Sequence, residues 1–452
     1  MNLSLVTKLL IACTCLAGAG ILALNGRWFV EFARPIMRLS VTILVATRVA
    51  ALAVWTFAPR LIGTPDLTLY YLPQARRALA GLVPGVDFPS SYSPFFTYLT
   101  AAPLLVWDHP AALVALILMF EALGLVGTWF GLGLDRAAPA TQAAVTVAYA
   151  LNPLFLWYTG VAAYQGAVIF GFFGAGLWLF RRPWLSAGCF AAALPFTKLL
   201  AVLAWPAVLL RRKETAAAIV SLAAAIGVMG LLFARGLDFI SPLLVEARDT
   251  SNGNVWMLLG TLVGRPLNVP PWRWLSPVSF ALAYSGTLAV ACRRRNTLAL
   301  VDGPRRAAAL IGLTCGLFML LSKKSLPMYY TMFLPLLIAI LLEAPRREQL
   351  RRLLGFTLLG ATSLVTPQLW HGLGQPDRLA LSLFVDPRTA AAALAVLLLD
   401  TVTLVATFWA VRLAWKELSA ESAVPDRDSP PGRPRSAWRS SATGPAGTVS
   451  GK

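Results

Sequence analysis

Histidine is almost missing from this chain, with two in 452 residues, and charged side chains of all kinds make up only 13% of it. His109 and His371 stand alone at the ends of apolar stretches, so neither begins a metal-binding set. Cysteine is also scarce. Cys13, Cys15, Cys189, Cys292 and Cys315 lie in or at apolar runs without metal-ligand spacing, which points to buried structural thiols. No Gly-rich phosphate loop, Walker motif or catalytic-triad signature occurs, and no cytoplasmic domain exists to hold a nucleotide sugar, which disfavours such a donor. A soluble domain carries roughly a quarter charged residues. With 58% hydrophobic residues and a mean hydropathy of +0.68, no soluble core could absorb the apolar side chains present. The short alternating segments of a porin-like barrel are lacking too.

What the sequence has in abundance is apolar length. Runs of about 17 to 25 residues recur, each long enough to cross a hydrocarbon core of about 30 Å as a helix. They predict an all-α, polytopic transmembrane helical bundle of about 11–13 membrane helices. The expected spans are Leu3 to Leu24, Arg38 to Ala58, Pro110 to Leu134, Gln142 to Thr159, Tyr164 to Phe180 and Thr215 to Ala234. Leu275 to Cys292, Ala307 to Leu321, Met328 to Leu342, Leu353 to Thr366 and Thr389 to Val411 complete the set. Pro94 to Trp107 is short for a span, and Trp184 to Leu210, with Pro195, Lys198 and Pro206 inside it, reads as a broken helical hairpin that dips in and returns.

The net charge of +19 is a topology signal. Arg181-Arg182, Arg211-Arg212-Lys213, Arg293-Arg294-Arg295, Arg346-Arg347 and Arg351-Arg352 fall on one face when alternate ends are assigned, and the positive-inside rule makes that face cytoplasmic. Basic residues at helix ends do not suggest nucleic acid. Residues 1–36 read as an N-terminal transmembrane extension, with Met37 as an alternative start, 37–411 as the main membrane domain, and 412–452, rich in Ser, Pro, Gly and Arg, as a disordered cytoplasmic tail.

The external face carries the chemistry-bearing residues. Thr64-Pro65 reads as a helix start, with Asp66 in the first turn and Tyr70 one turn further on the same face. An amphipathic stretch with Arg76 and Arg77 follows, and then Tyr92-Ser93-Pro94 turns back into the membrane. Taken alone, Asp66 could simply cap a surface helix. Inside the spans, Arg48, Glu121 and Asp400 are expected to pair with one another or with backbone.

This order of residues resembles the GT-C superfamily of membrane glycosyltransferases, in particular bacterial mannosyltransferases and GPI-mannosyltransferase-like proteins that use polyprenyl-phosphate sugars. Asp66, Tyr70 and Tyr92-Ser93-Pro94 match the family's first external loop, the last with one residue fewer before the proline. Asn152-Pro153, Tyr164-Gln165-Gly166, Lys198, Asn252 to Trp256, and Ser322 to Pro335 look like further landmarks, over about Met37 to Val411. The resemblance implies substrate contacts at Tyr70, Arg76, Tyr92, Gln165, Asn254, Trp256 and Tyr329. Two positions depart from the family: Tyr164-Gln165 replaces a second acidic motif of metal-dependent relatives, and Lys323-Lys324 stands where a His or His-Glu often precedes the late tyrosine. No metal or other cofactor is expected.

Transfer from a lipid-phosphate sugar needs a base for the acceptor hydroxyl and cations for the departing phosphate. Asp66 is the expected base; Lys198, Lys323 and Lys324 are the expected phosphate partners, since charge at lipid depth is costly unless used. The expected function is transfer of a sugar, most plausibly mannose, from a polyprenyl-phosphate donor to a lipid, glycan or protein acceptor on the external face of a bacterial cell membrane. The donor's lipid tail and membrane lipids would be the partners. A transporter or lipid flippase, or an envelope polysaccharide ligase or polymerase, are the alternatives; the single broken hairpin lacks the counterpart that transporter repeats usually show.

Overall fold

A computed structural model of the chain describes residues 3–62, 65–209, 215–238, 240–241, 251–265, 272–298, 303–376 and 378–419. These residues are mainly helical, and beyond one isolated bridge between Pro84 and Phe88 no strand forms among them. Among the described residues, eight helices are long and apolar enough to cross a membrane. We label them α1 (Leu3–Leu24), α2 (Ala33–Phe57), α3 (Pro110–Gly131), α4 (Thr215–Ala234), α5 (Leu275–Leu298), α6 (Gly303–Leu321), α7 (Arg346–Gly372) and α8 (Ala390–Ser419). A bent pair, Pro139–Ala150 with Phe155–Val161, makes a ninth span if counted as one, and Pro94–Leu105, Gly166–Trp178 and Leu199–Leu209 are shorter apolar helices.

Full-length spans are therefore fewer than the apolar runs suggested. Gln142 to Thr159 is broken by a 64° bend, because Pro153 cannot donate into the helix and the chain reopens as a π-helix. Tyr164 to Phe180 shrinks to a 13-residue helix. Met328 to Leu342 divides into a 3-10 turn, Pro327–Met332, and an eight-residue helix, Leu334–Leu341. The expected break between Trp184 and Leu210 is present: a helix at Pro183–Ala192 stops before Pro195, and Lys198 is extended before a 3-10 turn and a short helix at Trp205–Leu209.

The N-terminal helix is packed onto the body. α1 runs antiparallel to α7, with Lys8 Nζ donating to Gln368 Oε1 at 3.1 Å near one end and Gly26 against Arg346 and Leu350 at the other. α8 continues to Ser419, past the boundary expected near Val411; residues 420–452, where the disordered tail was expected, lie outside the described residues.

Close helix contact is made through glycines. A Cβ on Gly171 would meet Phe120 at 2.7 Å, and one on Gly127 would meet the Gly174 backbone at 2.4 Å. The Gly166–Trp178 helix thus lies parallel to α3 at backbone contact, the small-residue packing that membrane helices use. Extending this register puts Gln165 level with about Ile117, roughly 10 Å inside the Pro110 end of α3 at 1.5 Å per residue.

The intramembrane charges divide. Arg48 and Glu121 pair with each other through a two-pronged contact at 2.5 and 3.1 Å, and Tyr149 donates to the same carboxylate at 2.5 Å. Arg48 also donates to the Phe155 carbonyl, tying α2 and α3 to the π-helical segment. Asp400 instead accepts from Asn252 at 3.4 Å. The cysteines are free, and only Cys15 and Cys315 are buried; Cys13 and Cys292 face outward from their helices, which corrects the expectation of five buried thiols. A thiol is apolar enough for lipid-facing positions.

Candidate functional site

The segment between α2 and the Pro94–Leu105 helix is shaped by Pro73. Its ring would clash with the Leu69 carbonyl in an α-helix, and the preceding turn opens into a π-helix, Leu67–Tyr71, closed by Leu72 N–H donating to the Leu67 carbonyl. The wider turn shifts the inward face by one residue. Tyr71 is buried where Tyr70 was expected, and Tyr70 is 49% exposed. Asp66 opens this segment and makes no capping bond with its side chain, so the cap reading of Asp66 finds no support in the geometry. Thr64, the expected cap, lies outside the described residues.

Around Asp66 the chain gathers tyrosines. Tyr71 meets Tyr92 edge to face at 5.2 Å and Phe96 at 5.3 Å, and Tyr158 meets Tyr164 in the same way at 5.3 Å. The carboxylate of Asp66 acts electrostatically on Tyr71, Tyr92, Tyr158 and Tyr164. Burial holds the phenols of Tyr71 and Tyr92 well above the ordinary tyrosine range, and Asp66 pushes both further the same way. They are neutral hydrogen-bond donors at physiological pH. Tyr329, 5% exposed, lies close enough to interact with Tyr92 and Tyr164.

Lys198 reaches this cluster from the broken hairpin. Its ammonium sits 4.3 Å from the centre of the Tyr92 ring, a cation–π contact in a buried setting. The backbone fixes the approach, since Ser93 N–H donates to the Thr197 carbonyl at 3.1 Å. Two interrupted elements, one opening at Pro94 and one breaking at Lys198, therefore touch at their tips and place a cation beside the aromatic group that surrounds the carboxylate.

Gln165 closes the site from a third side. Ala163 adopts the left-handed conformation, φ 51°, uncommon for a residue with a Cβ, and turns the chain out of the bent span. Gln165 N–H then donates to the Tyr71 hydroxyl at 3.4 Å, while Gln165 Oε1 is buried with no hydrogen-bond partner. Gly166 makes this possible, since a Cβ there would lie 2.1 Å from Thr331 Oγ1.

The remaining expected site residues have recorded contacts of their own. Arg76 pairs with Asp108 at 2.9 Å on an exposed surface. Asn254 is a helix cap: its Oδ1 accepts from Trp256 and Met257 N–H, and its Nδ2 donates to the Ser251 and Lys323 carbonyls. Trp256 donates its indole N–H to the Leu321 carbonyl. Lys323 anchors this seam by its backbone, accepting from Ser251 N–H at 2.8 Å and donating to Ser276 Oγ at 2.9 Å, and Lys324 follows it. These residues stitch the Ser251–Trp256 loop to the end of α6.

Asp66, Tyr92, Lys198, Gln165 and Tyr329 are thus brought together, and Tyr71, Tyr158 and Tyr164 join them without having been singled out as site residues. The signal for Tyr71 was the Pro73 two positions on. Asn152 bonds to the Phe356 carbonyl and Leu154 N–H, a brace between the bent span and α7. Comparison with known families finds no family model that matches this chain, and comparison with curated proteins finds no match.

Proposed function

We propose that the chain is a membrane glycosyltransferase that takes a sugar, most plausibly mannose, from a polyprenyl-phosphate carrier and passes it to a hydroxyl acceptor. The observation that carries this reading is the convergence of Asp66, a wall of buried tyrosines and Lys198, recessed within an apolar bundle. A lipid-linked donor needs this combination: apolar surroundings for its tail, a cation for its phosphate and a base for the incoming alcohol.

In this reading Asp66 accepts the proton of the acceptor hydroxyl as its oxygen forms a bond to the anomeric carbon. The bond from that carbon to the carrier phosphate breaks, its electron pair passing to the phosphate oxygen. Lys198 stabilises the charge that develops there, in a site where low dielectric strengthens the attraction. One displacement inverts the anomeric centre. The phenols of Tyr71 and Tyr92 and the unpartnered carbonyl of Gln165 are suited to hold sugar hydroxyls, and burial keeps water from competing as acceptor.

The test is transfer of labelled sugar from a polyprenyl-phosphate donor by the purified chain in lipid. Transfer that disappears in Asp66→Asn supports the reading. Donor translocation without any transfer would replace it with a flippase or transporter.

A further inference from the structure

At the opposite end of the bundle, where α1 ends and α7 begins, a cavity of about 570 Å³ is lined by Asn25, Arg27, Trp28, Arg346, Arg347 and Leu350, among others. We infer that it is a binding site for the headgroup of an anionic phospholipid, a second site independent of the Asp66 cluster and of the activity assigned to it.

A glycine brings the two elements close: a Cβ on Gly26, just after α1, would stand 2.8 Å from Leu350 Cδ1 and 3.0 Å from Arg346 Nη2. The approach places Arg27 beside Arg346 and Arg347. Like charges brought together repel unless an anion sits among them. Among the described residues none of these arginines pairs with a carboxylate. Of the nearby acids, Glu348 pairs with Arg352 at 3.0 Å and Glu343 with Arg305, while Glu31, one turn after Arg27 on the same short helix, forms no ion pair with it among the described residues.

The start of α7 adds to the positive field. Pro345 precedes this 27-residue helix with no capping side chain, so its first amides and the positive end of its dipole face the same region. Guanidinium forks with free amides suit the oxygens of a phosphodiester better than a single carboxylate. The rim is apolar: Leu24 is 87% exposed and Trp28 is 47% exposed, a tryptophan placed as interfacial residues are. A ligand with a phosphodiester head and acyl chains meets both halves of the site, whereas a soluble phosphate meets only the first.

The experiment is a titration of the full chain in phosphatidylcholine nanodiscs with phosphatidylglycerol, read as the shift in melting temperature, with inorganic phosphate and glycerol phosphate as separate arms. Phosphatidylglycerol should stabilise the wild type, and the Arg346→Gln/Arg347→Gln variant should need about tenfold more of it or higher. Arg351→Gln, at a residue that lines a separate cavity against α8, should respond as wild type. If the double variant does not fold, Arg27→Gln gives the same reading from outside α7. An unchanged phosphatidylglycerol response in these variants overturns the site, and inorganic phosphate matching the lipid's effect overturns the lipid as its occupant.

Discussion

Lys198 and Tyr92 are held against each other twice: the ammonium lies 4.3 Å from the ring centre, and their neighbours Thr197 and Ser93 share a backbone hydrogen bond. The cation's position is therefore set by main chain as well as by the ring. Tyr92→Phe, which keeps the ring face, should leave Lys198 in place. Lys198→Ala removes a charge-assisted contact of roughly 1.5 to 3 kcal/mol, which corresponds to about a tenfold or greater rise in the donor concentration needed for half-maximal transfer. Normal donor dependence in a folded Lys198→Ala protein would remove the lysine from phosphate binding.

Asp66→Asn should lower turnover by about 10² to 10⁴, the range for loss of a positioned general base, and a melting curve run alongside separates that loss from a folding defect. Asp108→Asn is the control. Its partner Arg76 is half exposed, so breaking that pair should cost little in stability or rate. Near-normal turnover in Asp66→Asn would move the base to another residue.

Gln165→Met replaces an amide whose Oε1 is buried without a partner. Removing such a group should leave stability level or slightly raised. If the carbonyl accepts from a sugar hydroxyl, the Michaelis constant for the donor should rise while the melting curve holds. A variant unchanged in both would show that the carbonyl serves neither.

The phenols of Tyr71 and Tyr92 have raised pKa values. A group whose pKa is raised on folding contributes stability that is present below the unfolded value, near 10, and is lost as pH climbs through the folded value. An alkaline absorbance titration of the intact protein should therefore leave these two phenols un-ionised at pH 10. Their release should coincide with unfolding, and Tyr71→Phe/Tyr92→Phe should remove that late component.

The Arg48–Glu121 pair should behave as buried ion pairs do. Arg48→Met alone leaves a buried carboxylate beside Tyr149 and should cost about 3 to 5 kcal/mol, seen as a lowered melting temperature. Arg48→Met with Glu121→Leu should recover much of that loss. A double variant no better than the single one would assign the pair a role beyond charge compensation.

Much of the architecture could be read from the sequence, because bilayer thickness turns apolar length into a direct signal. Asp66, Tyr92 and Lys198 also stand out in the sequence as polar residues beside apolar runs, and Gln165 enters through the family resemblance; the structure sets the four near one another. What could not be read was rotation about helix axes. Pro73 widens one turn and exchanges Tyr70 for Tyr71, a change no fixed period of 3.6 residues would reveal. Asn254 and Trp256 look like ligand-binding residues in sequence, but the carbonyls they satisfy belong to a segment some seventy residues away, around Leu321 and Lys323. Span length misled where Pro153 and the 3-10 turn at Pro327–Met332 interrupt apolar runs whose composition alone fits a full crossing.

The backbone contact between α3 and the Gly166–Trp178 helix has a consequence for how a long lipid could reach Asp66. Where Gly127 and Gly174 touch there is no side chain to flex, so that wall cannot swing outward without separating the two helices entirely. Gln165, at the head of the shorter helix, is therefore a stationary post. The tips at Ser93 and Thr197 meet through one backbone hydrogen bond, with Phe95 against Phe196 at 5.5 Å and Lys198 on the Tyr92 ring, so this seam, unlike the glycine contact, is made largely of side chains that can rotate. On the function proposed above, a lipid-linked donor would enter at this seam, beside Tyr92 and Lys198.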